Sequence, residues 1–335
     1  MGRAHQSVID RRADSSVCAF VDPMPAAADF VRAAGIPLFQ TLRDLLARER
    51  PDGLIIATPN ALHVEQTLEA IEAGLPVLLE KPVATSVPEG QGLLRAVEAA
   101  GARVLVGHHR AHSPIMAKAC ELVASGRIGR VVAVQGSALF FKPDRYFAEG
   151  PWRAQKGGGP ILINMIHEVH NLRMLCGEVA QIQALSSHAV RGLAVEDTVA
   201  INLRFQSGAL GSFVLSDTAA SARSWEQTSQ ENKAYSSYDD EDCYLIAGTM
   251  GSLSVPTLRL KTYPRQEDRS WMLPFEQTVV DVRREDPLEL QMAHFIDVMA
   301  GLAPPRVSVY DGLQNLRVSQ AIAQAALDGG VVKLD

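Results

Sequence analysis

Paired cysteines and long apolar stretches are both missing from this sequence. Its four cysteines, Cys18, Cys120, Cys176 and Cys243, lie far apart, and none belongs to a C-x-x-C motif. Isolated thiols of this kind are typical of a reducing compartment, because disulfide frameworks and zinc sites need regularly spaced cysteines. No stretch approaches the roughly eighteen apolar residues of a membrane span, and the start of the chain lacks the pattern of a signal peptide. The sequence therefore predicts a cytoplasmic protein without a membrane anchor.

Blocks of basic residues are missing as well. Lysine and arginine number 32 against 38 acidic residues, which gives a formal net charge of −6. This balance argues against binding to nucleic acid or to an anionic membrane, so we expect a small-molecule partner. The content of 47% hydrophobic and 21% charged residues is ordinary for a globular protein.

The chain is long enough for two cores, and its halves differ in pattern. At 335 residues it exceeds the usual size of one domain. In the first half, short apolar runs alternate with segments of helical spacing, as in right-handed βαβ units. Strands are predicted at 16–21, 54–57, 76–79 and 103–107, and helices at 3–12, 26–34, 61–73 and 87–100. We predict an α/β fold in which residues 1–122 form a Rossmann domain with a parallel sheet.

The strand at 76–79 ends abruptly in Glu80, Lys81 and Pro82. The carboxyl ends of parallel strands are where such sheets bind ligands, and Pro82 restricts the backbone of Lys81. A flexible ammonium on a stiff main chain suits a binding site, although solvated charges at a strand end are the simpler interpretation of any single Glu-Lys-Pro.

Asp22 and Gly2 have the separation of a dinucleotide-binding fingerprint, but most of that fingerprint is missing. In such folds an acidic residue at the end of the second strand binds the adenosine ribose and disfavours NADP. Asp22 lies about twenty residues after Gly2, which can supply only the last glycine of a G-x-G-x-x-G loop. A doubly wound sheet without its central first strand leaves two rows of backbone groups unpaired. We therefore expect Met1 to be an internal methionine, with roughly ten to fifteen residues upstream, and weak dinucleotide binding if it is not.

Residues 123–335 are predicted to form a second α/β domain on an open, mostly antiparallel sheet. Strand-like runs at 131–138, 182–187, 197–205, 210–216, 244–247, 252–255 and 258–263 are separated by turns that often contain glycine. Helices predicted at 114–125, 157–175, 287–301 and 309–328 accompany them. Those at 157–175 and 287–301 would cover one face of the sheet and leave the other for a partner subunit.

Three glycines, Gly157 to Gly159, followed by Pro160 are a strong helix start. On the helix that follows, Asn164 and His167 share a face, and His170 neighbours His167. On spacing alone, a core histidine is as good an interpretation of His167 as a functional one.

The histidines do not have the spacing of a metal site. His167 and His170 are three residues apart, whereas H-E-x-x-H places its histidines four apart. His108, His109 and His112 have no carboxylate or cysteine at ligand spacing. We predict no metal ion.

Four motifs in this order resemble those of the Gfo/Idh/MocA family (glucose-fructose oxidoreductase, inositol dehydrogenase and rhizopine catabolism protein). They are Asp22-Pro23, Thr58-Pro59-Asn60 with His63, Glu80-Lys81-Pro82, and Gly157-Gly158-Gly159 with His167. Each motif is weak alone, but the ordered set is specific. The resemblance implies a Rossmann domain, an α/β domain that supports homodimers or homotetramers, and oxidation or reduction of a sugar, polyol or related cyclic compound. It also implies NAD as the cofactor, with NADP disfavoured by Asp22.

The same resemblance implies roles for individual residues. Gly2 and Asp22 would bind the dinucleotide, and Thr58, Pro59, Asn60 and His63 would line it. Glu80 would contact the nicotinamide side, Lys81 would meet the reacting hydroxyl, and His167 would be the acid/base partner. These residue types suit the chemistry, since an imidazole exchanges protons near neutral pH and an ammonium stabilises a developing alkoxide. We expect Lys81 and His167 to converge on the carbon that faces the nicotinamide.

Several positions depart from the family pattern, so the substrate cannot be transferred. Ile163 takes the place of a common aspartate, with Asn164 beside it, and His170 takes the place of a second one. His109-Arg110-Ala111 stands where the family often has Asn-Arg-Arg. We expect His109, Arg110, Asn164 and His170 to contact the substrate.

Two further stretches are candidates for shaping the pocket. Trp152 and Arg153 precede the glycines, and Arg153 either binds substrate or lies over a packed tryptophan. The long, polar segment 224–242 favours a lid over a disordered insert.

More than one function class remains open. Lys81 and His167 favour a dehydrogenase or reductase, whereas the missing glycines favour a non-catalytic or regulatory relative that has lost cofactor affinity. A third candidate is a glycoside-cleaving or elimination enzyme that recycles tightly held NAD.

Overall fold

The computed structural model describes residues 1–334, which divide into two compact units. Unit 1 comprises Met1–His109 and Leu288–Leu316, and unit 2 comprises Arg110–Pro287 and the residues from Arg317 onward. The sequence placed the boundary after residue 122 and assigned residues 288–316 to the second domain. The division differs because Ile115, Met116 and Leu122 belong to the core of unit 2, whereas the backbone N–H of Val106 bonds to the carbonyl oxygen of Val307 in unit 1.

The predicted helices and strands are present, most with ends shifted by a few residues. The α-helices are α1 (Gly2–Ile9), α2 (Pro25–Ala34), α3 (Leu42–Leu46), α4 (His63–Glu72), α5 (Val87–Ala100), α6 (Pro114–Ala124), α7 (Asp144–Ala148), α8 (Ile166–Cys176), α9 (Trp225–Thr228), α10 (Pro287–Met299) and α11 (Val309–Asp328). The strands are β1 (Phe20–Val21), β2 (Leu38–Phe39), β3 (Leu54–Ile56), β4 (Val77–Leu79), β5 (Val104–Val106), β6 (Val131–Leu139), β7 (Val179–Ser187), β8 (Thr198–Phe205), β9 (Leu210–Ser216), β10 (Tyr244–Gly248), β11 (Gly251–Val255), β12 (Arg259–Thr262), β13 (Glu276–Val279) and β14 (Val331–Lys333). None of the helices within residues 1–334 is both long and apolar enough to cross a bilayer.

Unit 1 contains parallel strands in two separate sheets. Strand β4 lies between β3 and β5, and Val77, Leu78 and Leu79 have no exposed surface, as expected of a strand covered on both faces. Strand β1 pairs only with β2, through Phe20 and Leu38. Among the described residues, no strand joins β1 to β3, which is the place where the sequence analysis expects a central strand. The α/β prediction with a parallel sheet is confirmed.

Unit 2 is built on one nine-stranded sheet in the order β13-β12-β11-β10-β6-β9-β8-β7-β14. Only β6 and β9 pair in parallel, so the mostly antiparallel sheet is confirmed. Burial alternates along β8, with Val199, Ile201 and Leu203 inside. Helices α6 and α8 contribute to the core on that face.

Two helices differ from expectation. Helix α10 was predicted to cover the large sheet but belongs to unit 1, where Arg103 donates hydrogen bonds to the carbonyl oxygens of Val298 and Met299. The helix predicted at 157–175 is not uniform, since Ile161–Met165 form a π-helical turn and the α-helix begins only at Ile166. Such turns are rare and occur often at functional sites.

Candidate active site

Glu80, at the carboxyl end of β4, is buried and bound by a histidine of α1. Its Oε1 lies 2.7 Å from Nε2 of His5, and both side chains are almost fully buried. A Cβ added to Gly107 would lie 3.0 Å from the carboxylate carbon, so a larger residue there would have to displace Glu80 slightly. The contact of Glu80 with the nicotinamide side stays a prediction, whereas its bond to His5 within unit 1 is a structural feature that the sequence did not indicate. We therefore interpret Glu80 as a residue that fixes the position of its neighbour Lys81.

The charge of Glu80 is stabilised where it lies. Burial on its own raises the pKa of a carboxyl group, but the hydrogen bond with His5 and the attraction of His5, Lys81 and His109 outweigh it. The pKa of Glu80 is therefore lowered, and the group stays ionised beside the half-buried Lys81. A buried anion next to an ammonium favours the charged form of both.

His63 joins the loops that follow β3 and β4. Its Nδ1 lies 2.7 Å from the carbonyl oxygen of Pro82, and its Nε2 lies 3.0 Å from the carbonyl oxygen of Thr58. Both partners accept hydrogen bonds, so the ring proton has an acceptor at either nitrogen. The ring is buried and both nitrogens have partners within the protein, while the expectation that His63 lines the cofactor stays a prediction. It holds the segment that carries Lys81 against the neighbouring loop.

The other predicted cofactor residues lie at or near the surface of unit 1. Thr58 is half-buried, and its hydroxyl donates to Gln66 Oε1 at 2.8 Å. Pro59 and Asn60 are exposed at the start of a short turn of 3₁₀-helix. These two residues are accessible to a ligand at the carboxyl end of β3.

Asp22 and the start of α1 fit a dinucleotide. Asp22 is half-buried at the end of β1, where its Oδ1 accepts a hydrogen bond from the N–H of Met24. No side chain among the described residues caps α1, and its first turn has no acidic residue. Free N–H groups at a helix start favour an anion such as a pyrophosphate. Gly2 lies in open space within this turn, so the donors present suit NAD.

In unit 2, the glycine run shapes the start of the helix that bears His167. Glu196 Oε1 accepts a hydrogen bond from the N–H of Ile161 at 2.9 Å. A Cβ on Gly159 would lie 2.7 Å from the same oxygen, and the φ of Gly159 is +82°. Burial raises the pKa of Glu196, partly offset by its hydrogen bonds. A carboxylate of the protein itself therefore occupies the start of this helix, where free N–H groups favour an anion.

His167 and His170 are both buried, at 9% and 5% exposure. They lie on α8, next to the π-helical turn. Asn171, the next residue of the same helix, is fully buried and donates through Nδ2 to the hydroxyl of Tyr244 at 3.0 Å. Of the two histidines His167 is slightly the more exposed, and its role as the acid/base partner stays a prediction.

Asn164 lies on the π-helical turn and binds a lysine that sequence reasoning missed. Its Oδ1 accepts a hydrogen bond from Nζ of Lys142 at 2.6 Å, and Asp217 Oδ2 lies 3.7 Å from the same ammonium. Lys142 follows β6 in a stretch without a recognisable motif. Its position shortly after a predicted strand was the only sequence signal that could have pointed to Lys142.

Arg110 has a different position from the one expected. It is 2% exposed, and its guanidinium donates from Nη1 to Glu168 at 2.6 Å and from Nη2 to Glu226. Glu168 in turn accepts from the hydroxyl of Tyr244. A guanidinium enclosed by two carboxylates does not present donors to a substrate, so we correct its assignment to a structural one. The neighbouring His109 is half-buried in unit 1.

Trp152 and Arg153 form an aromatic and cationic surface in unit 2. The guanidinium of Arg153 lies over the Tyr146 ring at 4.0 Å and over the Trp152 ring at 5.8 Å. Trp152 is 53% exposed, so it is not the packed tryptophan of the alternative interpretation. An exposed indole next to a cation suits the apolar face of a sugar ring.

The segment 224–242 is only partly accessible. Trp225 is in the hydrophobic core, stacked against Tyr244 with ring centroids 6.0 Å apart. Its Nε1 donates to Glu231, which also accepts from Ser113. The lid prediction is therefore wrong for residues 224–231, because buried contacts fix them, whereas residues 233–241 are mostly exposed.

Metal ligands do not converge in the part of the chain that the structure describes. Within residues 1–334, no three histidine, cysteine, aspartate or glutamate side chains form a group that could hold a metal ion. The chemistry of the candidate site is therefore argued from Lys81, His167 and their neighbours.

Comparison with known proteins covers both units. Residues 1–108 match the family model described as "Oxidoreductase family, NAD-binding Rossmann fold", and residues 116–254 match the "GFO/IDH/MocA C-terminal domain". Among curated relatives, a 1,5-anhydro-D-fructose reductase from Ensifer adhaerens is 27% identical over 306 residues, covering 88% of this chain and 83% of the relative. The scyllo-inositol 2-dehydrogenase (NAD(+)) from Bacillus subtilis is 27% identical over 295 residues, covering 85% and 78%.

Solved structures agree on the fold. The WlbA dehydrogenase from Bordetella pertussis, in complex with NADH and UDP-GlcNAcA, has a TM-score of 0.78 at 24% identity and covers 100% of this chain and 95% of its own. An oxidoreductase from Agrobacterium radiobacter, in complex with NAD+, L-tartaric acid and magnesium, has a TM-score of 0.81 at 19% identity and covers 98% and 94%. The named relatives are dehydrogenases and reductases, which disfavours the non-catalytic interpretation. The chain therefore belongs to the Gfo/Idh/MocA family of NAD-dependent oxidoreductases.

Proposed function

We propose that this protein oxidises or reduces a neutral polyol or cyclic sugar at a secondary alcohol or ketone, with NAD. The observation that carries the proposal is the support built around Lys81. His5 fixes Glu80 on one side of it, and His63 binds the carbonyl oxygen of Pro82 on the other. This arrangement holds one ammonium at the carboxyl end of a fully buried strand, where α/β proteins bind their ligands.

The cofactor would be held by residues of unit 1. The start of α1 at Gly2 suits the pyrophosphate and Asp22 suits the adenosine ribose. The exposed Pro59 and Asn60 suit the nicotinamide half. NAD supplies hydride acceptance or donation when bound.

Two side chains would act on the reacting group, one on its oxygen and one on its proton. Lys81 would donate a hydrogen bond to the reacting oxygen and stabilise the charge that develops on it. His167 would take the hydroxyl proton in oxidation and return one in reduction. Stabilising the oxygen and exchanging its proton both benefit from partial burial of the two side chains, because charge interactions are stronger where water is excluded. His167 is buried and Lys81 is half-buried.

The names of the relatives indicate which substrates to try. They include a 1,5-anhydro-D-fructose reductase, inositol dehydrogenases and a levoglucosan dehydrogenase. These substrates are neutral and rich in hydroxyl groups. We infer a substrate of the same chemical class for this chain.

Turnover assays test this proposal. The purified protein would be incubated with NAD and myo-inositol, scyllo-inositol or levoglucosan, and with NADH and 1,5-anhydro-D-fructose, while the absorbance of NADH is followed. We expect turnover with at least one of these compounds. Saturable NADH binding without turnover of any neutral polyol or ketose would refute the substrate class, and the absence of NADH binding would refute the cofactor site.

Oligomer formation and location are further parts of the proposal. The outer face of the nine-stranded sheet exposes Leu185, Leu210, Val214 and Leu245, which supports burial against a second subunit in a homodimer or homotetramer. All four cysteines are unpaired, which supports a cytoplasmic location. Light scattering on the purified protein gives its mass, and a monomer at micromolar concentration would contradict the oligomer.

A further inference from the structure

Lys142 is an ammonium on a rigid support within unit 2. It follows β6, and its backbone N–H donates to the carbonyl oxygen of Asp217 at 2.9 Å. Its own carbonyl oxygen accepts from Nη2 of Arg191 at 2.6 Å. The main chain is therefore fixed on both sides of the residue. The side chain is 12% exposed, so it is not one of the solvated surface lysines.

The ammonium is held in a polar and aromatic environment. Nζ donates to Asn164 at 2.6 Å and lies 4.8 Å from the centre of the Tyr146 ring and 5.4 Å from that of Phe140. An ammonium over aromatic faces keeps its charge at low cost. The side-chain oxygen of Asn164 orients one N–H donor of the Lys142 ammonium. Asn164 itself lies three positions before His167.

The charge of Lys142 is already countered by its surroundings. Asp217 lies 3.7 Å from Nζ and also receives a hydrogen bond from Nε of Arg191 at 3.0 Å. Burial, together with Asp217, raises the pKa of Glu196, while Lys142 lowers it. The remaining charges nearby are Arg153, which lies over the same Tyr146 ring, and the exposed Asp144, which pairs with Arg191. A carboxylate brought to Lys142 would meet the field of Asp217, whereas a neutral oxygen would not be repelled.

We propose that Lys142 is a substrate-contacting residue that donates a charge-assisted hydrogen bond to a neutral hydroxyl or carbonyl oxygen of the substrate, with Asn164 as its positioning residue. The inference rests on the proposed function and specifies how that site selects neutral polyols over sugar acids. It also accounts for one departure from the family pattern. Ile163 cannot bind a hydroxyl, and Lys142 supplies a polar group beside that turn from another element.

Kinetics of Lys142→Met test the inference. The probes are myo-inositol and D-glucose as neutral polyols and D-glucuronate as the acid. We expect the wild type to prefer the neutral probes, and Lys142→Met to raise KM for them at least tenfold with a smaller change in kcat. Its Kd for NADH should stay within twofold of the wild type. Lys118→Met, which removes a lysine from the surface of α6 in the same unit, should change none of these values.

A second variant separates substrate contact from folding. Asn164→Ala keeps the ammonium but removes the acceptor that orients it, so KM should rise by less than in Lys142→Met. Unchanged KM in both variants of an active enzyme would overturn this inference alone. A wild-type preference for D-glucuronate that Lys142→Met abolishes would overturn it as well, in favour of an anion site. A wild type that binds NADH but turns over no neutral polyol or ketose, neither these probes nor the compounds of the turnover assays above, would overturn the proposed function and this inference together.

Discussion

Arg110 and Glu168 form a fully buried ion pair, with Nη1 of the arginine 2.6 Å from Oε1 of the glutamate. Glu168 is the residue that follows His167, so the pair anchors α8 at the position that bears the proposed acid/base group. The arginine bonds to a second carboxylate, Glu226, and lies over the Trp225 ring at 5.7 Å. Within unit 2, Arg110 therefore connects the helix of His167 with the segment that carries Trp225 and Glu226.

Removing the arginine should destabilise the protein strongly. Arg110→Met leaves Glu168 buried without its cation, and breaking a buried pair in this way costs about 3–5 kcal/mol. Glu226 is partly exposed, so its carboxylate can be solvated after the substitution and adds little to this cost. Urea unfolding followed by circular dichroism would show the lower midpoint.

A surface arginine of the same unit is the control for that variant. Arg127→Met removes an exposed guanidinium after α6, and substitutions of this kind change the free energy of unfolding by about 0.5 kcal/mol or less. Equal midpoints for Arg110→Met and Arg127→Met would contradict the structural role and reopen the assignment of Arg110 to the substrate.

Glu231 should make stability fall as pH rises. Burial raises its pKa from 4.5 to about 7, against hydrogen bonds from Ser113 and Trp225 and the attraction of Arg110 and Arg284. A carboxyl with a raised pKa in the folded state stabilises the protein below its unfolded value and loses that effect as pH rises through the folded value. Between about pH 4.5 and 7 the contribution to the free energy of unfolding should fall by roughly 1–3 kcal/mol. Glu231→Gln should remove this part of the pH dependence in urea unfolding series, and an unchanged slope would show that Glu231 is already ionised.

Glu80 should have the opposite effect at lower pH. Although burial opposes it, the hydrogen bond with His5 lowers the pKa of Glu80. A lowered carboxyl pKa gives stability that is present above the ordinary value and lost as pH falls through the folded value. The wild type should thus lose stability in acid, below about pH 4, and Glu80→Gln should lose less over the same range. Thermal unfolding at several acidic pH values measures this difference, and parallel curves for both proteins would contradict it.

Alanine substitutions at Gly157 and Gly159 should distinguish the cost of backbone strain from the cost of a steric clash. Gly157 and Gly159 have φ values of +95° and +82°, but a Cβ on Gly157 meets nothing within 4 Å, whereas one on Gly159 meets Glu196. Both alanine variants pay for the strained φ, and Gly159→Ala also displaces the carboxylate that binds Ile161. We expect Gly159→Ala to be less stable than Gly157→Ala by about 1–2 kcal/mol. Equal stability would mean that Glu196 moves aside freely.

The elements that the sequence predicted well have a local cause. Strand β4 is a run of apolar residues between Gly74 and Glu80, and its burial on both faces follows from that pattern alone. Helix α5 begins after Ser86, whose hydroxyl accepts from Glu89, and ends at Gly101 in the left-handed conformation. Both caps can be read from the residues themselves.

The elements that were missed depend on distant partners. Glu80 meets His5 from 75 positions away, and Arg110 meets Glu226 from 116 positions away. Hydrophobic periodicity contains no information about such pairs, so neither the bond of Glu80 to His5 nor the two carboxylates that enclose Arg110 could be predicted, and Arg110 was assigned to the substrate. The π-helical turn at Ile161–Met165 has no known sequence signal, and the two-residue strand β2 is too short for one.

Substitution of the two proposed catalytic residues should separate chemistry from cofactor binding. Lys81→Ala removes the donor to the reacting oxygen, and His167→Ala removes the group that exchanges its proton, so each should lower kcat by two to four orders of magnitude, or about 10²–10⁴-fold. Neither side chain is assigned to the pyrophosphate or the adenosine, so the Kd for NADH should change little. Stopped-flow turnover and fluorescence titration of NADH measure the two quantities on the same preparation. The matched control is Lys156→Ala, which removes an exposed lysine just before the glycine run and should leave kcat unchanged. Turnover near that of the wild type in His167→Ala would show that a group other than His167 exchanges the proton.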